Sequence, residues 1–293
     1  MFVRTALVAV AVATASELAV ADIAIEFDDR KVSIQSDGTA HDVIVEGVGR
    51  FGELRIYVDD VETAALEGVR DVTVELGAGN DLLFVNGLQI GGSLKVKLGG
   101  GNDTVIVQSD RIFESADRSV FVGRNVDIAL GGQLGDRATI DADDSVLGVT
   151  IGGKLTIRDA ADVVMESSGS VADDDAGVIT IGADLTIRGK RAVDINGDDR
   201  TISLTGVRVG GSTRIELGSD VDVVTVTDCA FARSFKAKLG GGDDQFGVGP
   251  PSSPSSFAAA VELRGGSGSG DVLQLVGANI DVTPTISQFE FIL

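Results

Sequence analysis

Four aspartates at a fixed interval are the residues of this chain best placed to do chemistry. Asp81 and Asp103 close the phrases Leu76-Gly77-Ala78-Gly79-Asn80-Asp81 and Leu98-Gly99-Gly100-Gly101-Asn102-Asp103. Asp222 and Asp244 close two later copies, Leu217 to Asp222 and Leu239 to Asp244, and within each pair the interval is 22 residues. On adjacent turns of a coil, two ionised carboxylates about 4.8 Å apart repel by about 1 kcal/mol in water and by several times that at lower effective dielectric. A calcium ion between them, completed by glycine carbonyls and water, turns that repulsion into a staple, which makes Asp81, Asp103, Asp222 and Asp244 the metal-site candidates. Calcium normally takes about 6 to 8 oxygens. The donor count therefore favours a second arrangement, in which each aspartate accepts hydrogen bonds from its own turn while Asn80 and Asn102 stack as an amide ladder.

Catalysis needs more than carboxylates. Asp220 with Asp222 and Asp243 with Asp244 are closely spaced enough for acid and base roles on a polysaccharide, but aspartates at corners are more often turn formers. A lyase would want Lys or Arg beside a cation, and Arg188, Lys190, Arg191 and Arg200 lie near Asp194 without any of them being singled out. There is no Trp, Tyr57 is the one Tyr and His41 the one His, both before the clear repeats, so the aromatic and basic partners of a sugar site are scarce. The glycine-rich phrases follow strands but open no helix, and no GxxxxGK[ST] is present, which excludes a P-loop. Cys229 is the only cysteine, excluding an intrachain disulfide and a thiolate zinc site, and its apolar setting points to a buried thiol. Thr225 and Thr227 form one TxT, with no equivalent pair expected one coil away.

The elements that must position the aspartates are short strands. Leu94-Lys95-Val96-Lys97-Leu98 and Thr213-Arg214-Ile215-Glu216-Leu217 alternate apolar and polar residues, so one set points inward and the other to solvent. Equivalent apolar positions fall at Val72, Leu94, Val126, Leu155, Leu185, Thr213, Phe235 and Val261, and corners such as Ile90-Gly91-Gly92 and Ile151-Gly152-Gly153 introduce them. About 22 residues suffice for a coil of two or three short strands. The fold expected is all-β: a single-stranded parallel β-helix, or β-solenoid, of about eight coils with capping strands at both ends. Residues 22–68 read as N-terminal capping strands and first coil, 69–248 as the solenoid repeats, and 249–293 as a proline/serine loop, last coil and C-terminal cap. The longer middle intervals come from acidic insertions around Asp143, Asp174 and Asp198, which read as solvated loops or, if aligned, as one acidic edge.

Composition bounds the partners. Forty-five acidic against 24 basic residues give a net charge of −21, which disfavours nucleic acid and anionic membranes and favours cations. Met1-Phe2-Val3-Arg4, an apolar run from Thr5 to Ala15 and the ending Ala19-Val20-Ala21 have the layout of a signal peptide over residues 1–21, so a secreted or cell-surface chain is expected; the competing reading is a strand at the end of the coil. No other run is apolar and long enough to insert the mature chain into a membrane.

The phrases LGAGNDLL and LGGGNDTV resemble the haemolysin-type (RTX) calcium-binding nonapeptide GGxGxDxUx. Gly99, Gly101, Asp103 and Val105 match its second and third glycines, its aspartate and its apolar position, as do Gly77, Gly79, Asp81 and Leu83, and Gly240, Gly242, Asp244 and Phe246. Leu98 stands at the first glycine of its copy, Asp220 replaces a glycine in the copy ending at Asp222, and copies come once per 22 residues rather than in tandem. The resemblance implies calcium as a cofactor. The function expected is a secreted acidic scaffold for surface, matrix or adhesion, with calcium and polysaccharide or other surface components as partners; a polysaccharide lyase or hydrolase is the alternative.

Overall fold

Alternation along the strands becomes a wall with a wet and a dry side. In Leu94–Lys97, Leu94 and Val96 are fully buried while Lys95 and Lys97 face solvent; burying such a side chain contributes about 1.5–3 kcal/mol. The computed structural model describes residues 16–20, 23–36, 38–48, 50–109, 119–133, 135–142, 148–168, 171, 177–189 and 199–293. Three sheets run along the molecule, two of 12 strands and one of 8. The chain passes from the third sheet to the first and then to the second before starting the next coil, as in Gln89–Ile90, Leu94–Lys97, Thr104–Ser109 and then Val120–Val122. The eight strands of the third sheet mark eight three-walled coils of a parallel β-helix.

The sequence repeat is the structural register. Val72, Leu94, Val126, Leu155, Leu185, Thr213, Phe235 and Val261 are successive Cα partners along the first sheet. Inside, aliphatic ladders fill most coils, while Phe231, Phe235, Phe246 and Phe257 fill the C-terminal ones with ring centroids 4.7 to 5.9 Å apart. The coil has three corners per turn, where the sequence shows two plainly.

The two ends differ. At the N-terminal end Ser16–Val20, Ile23–Asp28 and Lys31–Ser36 pair antiparallel on the first sheet. On the second sheet Leu54–Val58 and Val61–Leu66 add antiparallel to Asp42–Gly47. These antiparallel pairings break the parallel repeat and extend the edges of both sheets beyond the first coil. Ser16–Val20 is the tail of the expected leader; the rest of that leader, apart from these five residues, lies outside the described residues. At the C-terminal end Thr285–Ser287 and Phe291–Ile292 continue the parallel pairing.

Asp143, Asp174 and Asp198 lie outside the described residues, but their flanking strands are placed. Segments 143–147 and 172–176 each join a second-sheet strand to a third-sheet strand, whereas 190–198 joins Leu185–Arg188 of the first sheet to Arg200–Thr205 of the second. The third insertion thus leaves from a different corner than the other two.

Candidate functional site

The aspartates of the repeat stand at the corner where the chain leaves the first sheet for the second. A residue there cannot pair its N–H with the next coil in the ordinary parallel ladder, because the backbone is turning, and a buried N–H must find an acceptor. The next coil's aspartate supplies it. His41 N donates to Asp81 Oδ1 at 2.9 Å, Asp81 N to Asp103 Oδ1 at 3.0 Å and Asp103 N to Asp136 Oδ1 at 2.9 Å. Further along, Asp222 N donates to Asp244 Oδ1 at 2.9 Å, Asp244 N to Asp271 Oδ1 at 2.8 Å and Asp271 N to Glu290 Oε2 at 2.9 Å. Between the two runs the same position is held by Ala161 and then Arg200, which is the register partner of Asp222. All six aspartates of this column are buried.

The expected pairs, Asp81 with Asp103 and Asp222 with Asp244, are therefore neighbours in register, and Asp136 and Asp271 join them. The expected hydrogen-bond pattern needs correcting. Apart from Asp222, which accepts nothing from the preceding coil's backbone, the carboxylates serve the preceding coil rather than their own turn, and Asp136 also accepts from its own turn, through Gln133 N at 2.6 Å. Asn80 and Asn102 are linked not through stacked amides but by Asn102 N donating to Asn80 Oδ1 at 2.8 Å. Asp136 and Asp271 escaped notice because insertions set them 33 and 27 residues from their predecessors. A Gly-Asp step ahead of an alternating strand, Gly135-Asp136 and Gly270-Asp271, is the signal that remained.

The glycines of the phrase answer to packing. A Cβ on Gly99 would lie 1.6 Å from the Gly77 carbonyl oxygen. Gly101 has φ +131°, and a Cβ there would meet the Gly79 oxygen at 1.7 Å. Coil stacking alone demands both residues.

One oxygen of most rungs has no partner: Asp81 Oδ2, Asp103 Oδ2, Asp244 Oδ2 and Asp271 Oδ2 are buried without a hydrogen bond. An ionised carboxyl in that state is costly. Burial accordingly pushes Asp103 up to about 6, against the Asp81 N–H that favours the anion and with the charges of Asp136 and Asp81 adding to the rise. Burial also drives Asp222 up to about 7 despite Arg200, and Asp244 up to about 7 despite the Asp222 N–H; Asp81 is raised for the same first cause. Protonation on the second oxygen keeps the Oδ1 acceptor and removes the charge.

Calcium fits this donor set poorly. Every rung except Asp222 has committed one oxygen to an N–H, and among the described residues no three His, Cys, Asp or Glu side chains converge on a point. An ion needing about 6 to 8 oxygens would have to draw most of them from backbone carbonyls and water.

The other candidates separate. In the pairs Asp220/Asp222 and Asp243/Asp244, Asp222 and Asp244 are buried in the column, Asp220 lies 3.9 Å from Arg200 Nη1 and Asp243 is exposed, accepting from Ser269 N. Arg200 is itself buried, its Nη1 3.6 Å from Asp222 Oδ1. Lys190, Arg191 and Asp194 lie outside the described residues. Cys229 is buried, its Sγ donating to the Thr227 and Leu204 carbonyls, and burial pushes its thiol up to about 12. Thr225 and Thr227 do have a neighbouring pair, in register with Ser203 and Thr205, which a search for threonine alone passes over. Comparison of the chain with known protein families, curated proteins and solved structures returned no match.

Proposed function

We propose that the protein is a non-catalytic scaffold, an acidic β-helical rod serving a surface, matrix or adhesion role outside the cell. One observation carries the reading: the carboxylates that recur with the coil turn inward and are used as corner acceptors. The RTX-like phrase supports it as a corner device, since its glycines are required by coil stacking and its aspartates by unpaired N–H groups. Against the lyase or hydrolase alternative stands the burial of one carboxyl in each aspartate pair, Asp222 and Asp244, where a glycosidase needs both beside one bond.

The test is turnover. With acidic and neutral polysaccharides incubated at several pH values and with or without calcium, size-exclusion profiles are expected to stay unchanged. Cleavage that disappears in Asp220→Asn or Asp243→Asn would overturn the scaffold reading.

A further inference from the structure

On a chain of net charge −21, one wall is basic. Seven successive strands of the first sheet, from Leu94–Lys97 to Val261–Gly266, carry eight Lys and Arg residues on their outward positions and three carboxylates. A third of the chain's 24 basic residues is gathered there.

The cations are stacked, not scattered. Arg158 is the register partner of Arg188, Arg214 of Lys236, and Lys238 of Arg264. Like charges on adjacent coils, roughly 4.8 Å apart, repel by about 1 kcal/mol per pair even in water. No carboxylate stands between them in the column, although Asp127 pairs with Arg158 at 2.9 Å and Glu262 with Arg264 at 2.7 Å from neighbouring positions. Arg158, Arg188, Arg214 and Lys238 line a groove of about 620 Å³, with Asp159 and Glu216 as its acidic members. Glu216 is shared between Arg214, through a short contact, and Arg188 at 3.5 Å. Lys238 makes no ion pair with a described residue.

We propose that this wall is a binding site for a carboxylate-bearing polysaccharide laid along the coils, its acid groups seated in the groove between Arg158, Arg188, Arg214 and Lys238. The inference rests on the scaffold reading and names its partner class. Three features select that ligand. Stacked Arg forks donate to carboxylates in two-point contacts, and an anion between rungs relieves the repulsion built into the wall. Thr156, Thr186 and Glu216 on the same columns offer acceptors to sugar hydroxyls, which a polyphosphate backbone supplies far more sparingly. The outward positions of these seven strands hold no aromatic ring on which bases could stack.

The test uses the full chain with alginate, dextran as the uncharged polymer and single-stranded DNA as the polyphosphate, by isothermal calorimetry and by size-exclusion of the polymer. Alginate is expected to bind with an affinity that falls as salt rises, dextran and DNA at least about tenfold more weakly. The double variant Arg188→Ala/Lys238→Ala, both on the solvent face, is expected to lower alginate affinity about tenfold or more with an unchanged thermal midpoint, whereas Asp243→Asn leaves it unaltered. Absence of alginate binding, equal binding of DNA or dextran, or an undiminished double variant overturns the site while leaving the scaffold reading intact. Shortening of the alginate chain overturns the scaffold reading and leaves the site standing.

Discussion

The buried carboxylate column makes the rod's stability depend on pH with a sign opposite to that of most acidic proteins. Each raised rung holds its proton more tightly in the coil than in the unfolded chain. Its contribution is complete below the ordinary pKa of 3.8 and is lost as pH rises through about 6 for Asp103 and about 7 for Asp222 and Asp244. One pH unit between folded and unfolded pKa is worth about 1.4 kcal/mol, so Asp103 alone corresponds to about 3 kcal/mol, or about 2 kcal/mol once water near the corner is allowed for. Neighbouring rungs interact, so the three are not summed. The carboxyls held low by ion pairs, Glu75 through Lys95, Glu216 through Arg214 and Glu262 through Lys236, act in the opposite sense, but below the ordinary range and therefore under this window. Self-repulsion from a net charge of −21 also eases on acidification toward the isoelectric point near 4.3. Salt separates the two, since it screens exposed charge and leaves a buried rung untouched. Urea unfolding at pH 5 to 8.5 in high salt, followed by far-UV circular dichroism, is expected to show stability falling by at least about 2 kcal/mol across the range. Asp103→Asn keeps the Oδ1 acceptor for Asp81 N and cannot ionise, so it should flatten the change across this range by about 1 kcal/mol, the part of its contribution that is lost above about pH 5. A wild-type curve that is level or rises with pH, or a variant with the parental slope, would refute the reasoning.

Three shorter predictions follow from the same coil. Gly99→Ala, whose Cβ would lie 1.6 Å from the Gly77 carbonyl oxygen, should lower the unfolding free energy by about 3 kcal/mol or more, while Gly100→Ala, with nothing within 4 Å, should cost less than about 0.5 kcal/mol; equilibrium urea curves compare them. Thermal midpoints in millimolar calcium and in chelator should coincide, because a site filled at about 100 times its Kd would add about 2.7 kcal/mol, a shift scanning calorimetry cannot miss. Cys229, buried with its thiol pushed up to about 12, should react with a disulfide reagent only as fast as the coil opens; prompt labelling of the folded chain would place it elsewhere.

How much of this was legible in the sequence depends on the range of the interaction responsible. Inward and outward alternation and glycine corners are local, so Val72 and its seven equivalents fall into register as the repeat lays them out. The pairing of Asp81 with Asp103 follows from the same count. The direction of their hydrogen bonds does not, because an acceptor may serve its own turn or the coil before, and only the buried corner N–H decides. The column's membership was hidden further where insertions alter the interval, at Asp136 and Asp271. The basic wall was least visible of all. Arg158 and Arg188 stand 30 positions apart with other residues' chemistry between them, and the chain's net charge points the other way.

The places where the column is interrupted say most about what it is for. Asp136 is followed in the next coil by Ala161, which offers no carboxylate, and Asp136 N turns to its own Gln133 carbonyl at 3.2 Å. Ala161 is followed by Arg200, and Ala161 N reaches back to the Asp136 carbonyl at 2.9 Å. Arg200 is followed by Asp222, but that carboxyl lies beside the guanidinium, and Arg200 N takes the Val221 carbonyl at 3.2 Å instead. In every case the backbone shifts so that the corner N–H keeps an acceptor. A ligand site would lose its function with its carboxylates, whereas a satisfied N–H can be had from a neighbouring carbonyl just as well. Aspartate is therefore one solution among several to a requirement set by the corner. The orphaned second oxygen is the cost of that solution, and it is avoided where the turn supplies a second donor, as Gln133 N does for Asp136.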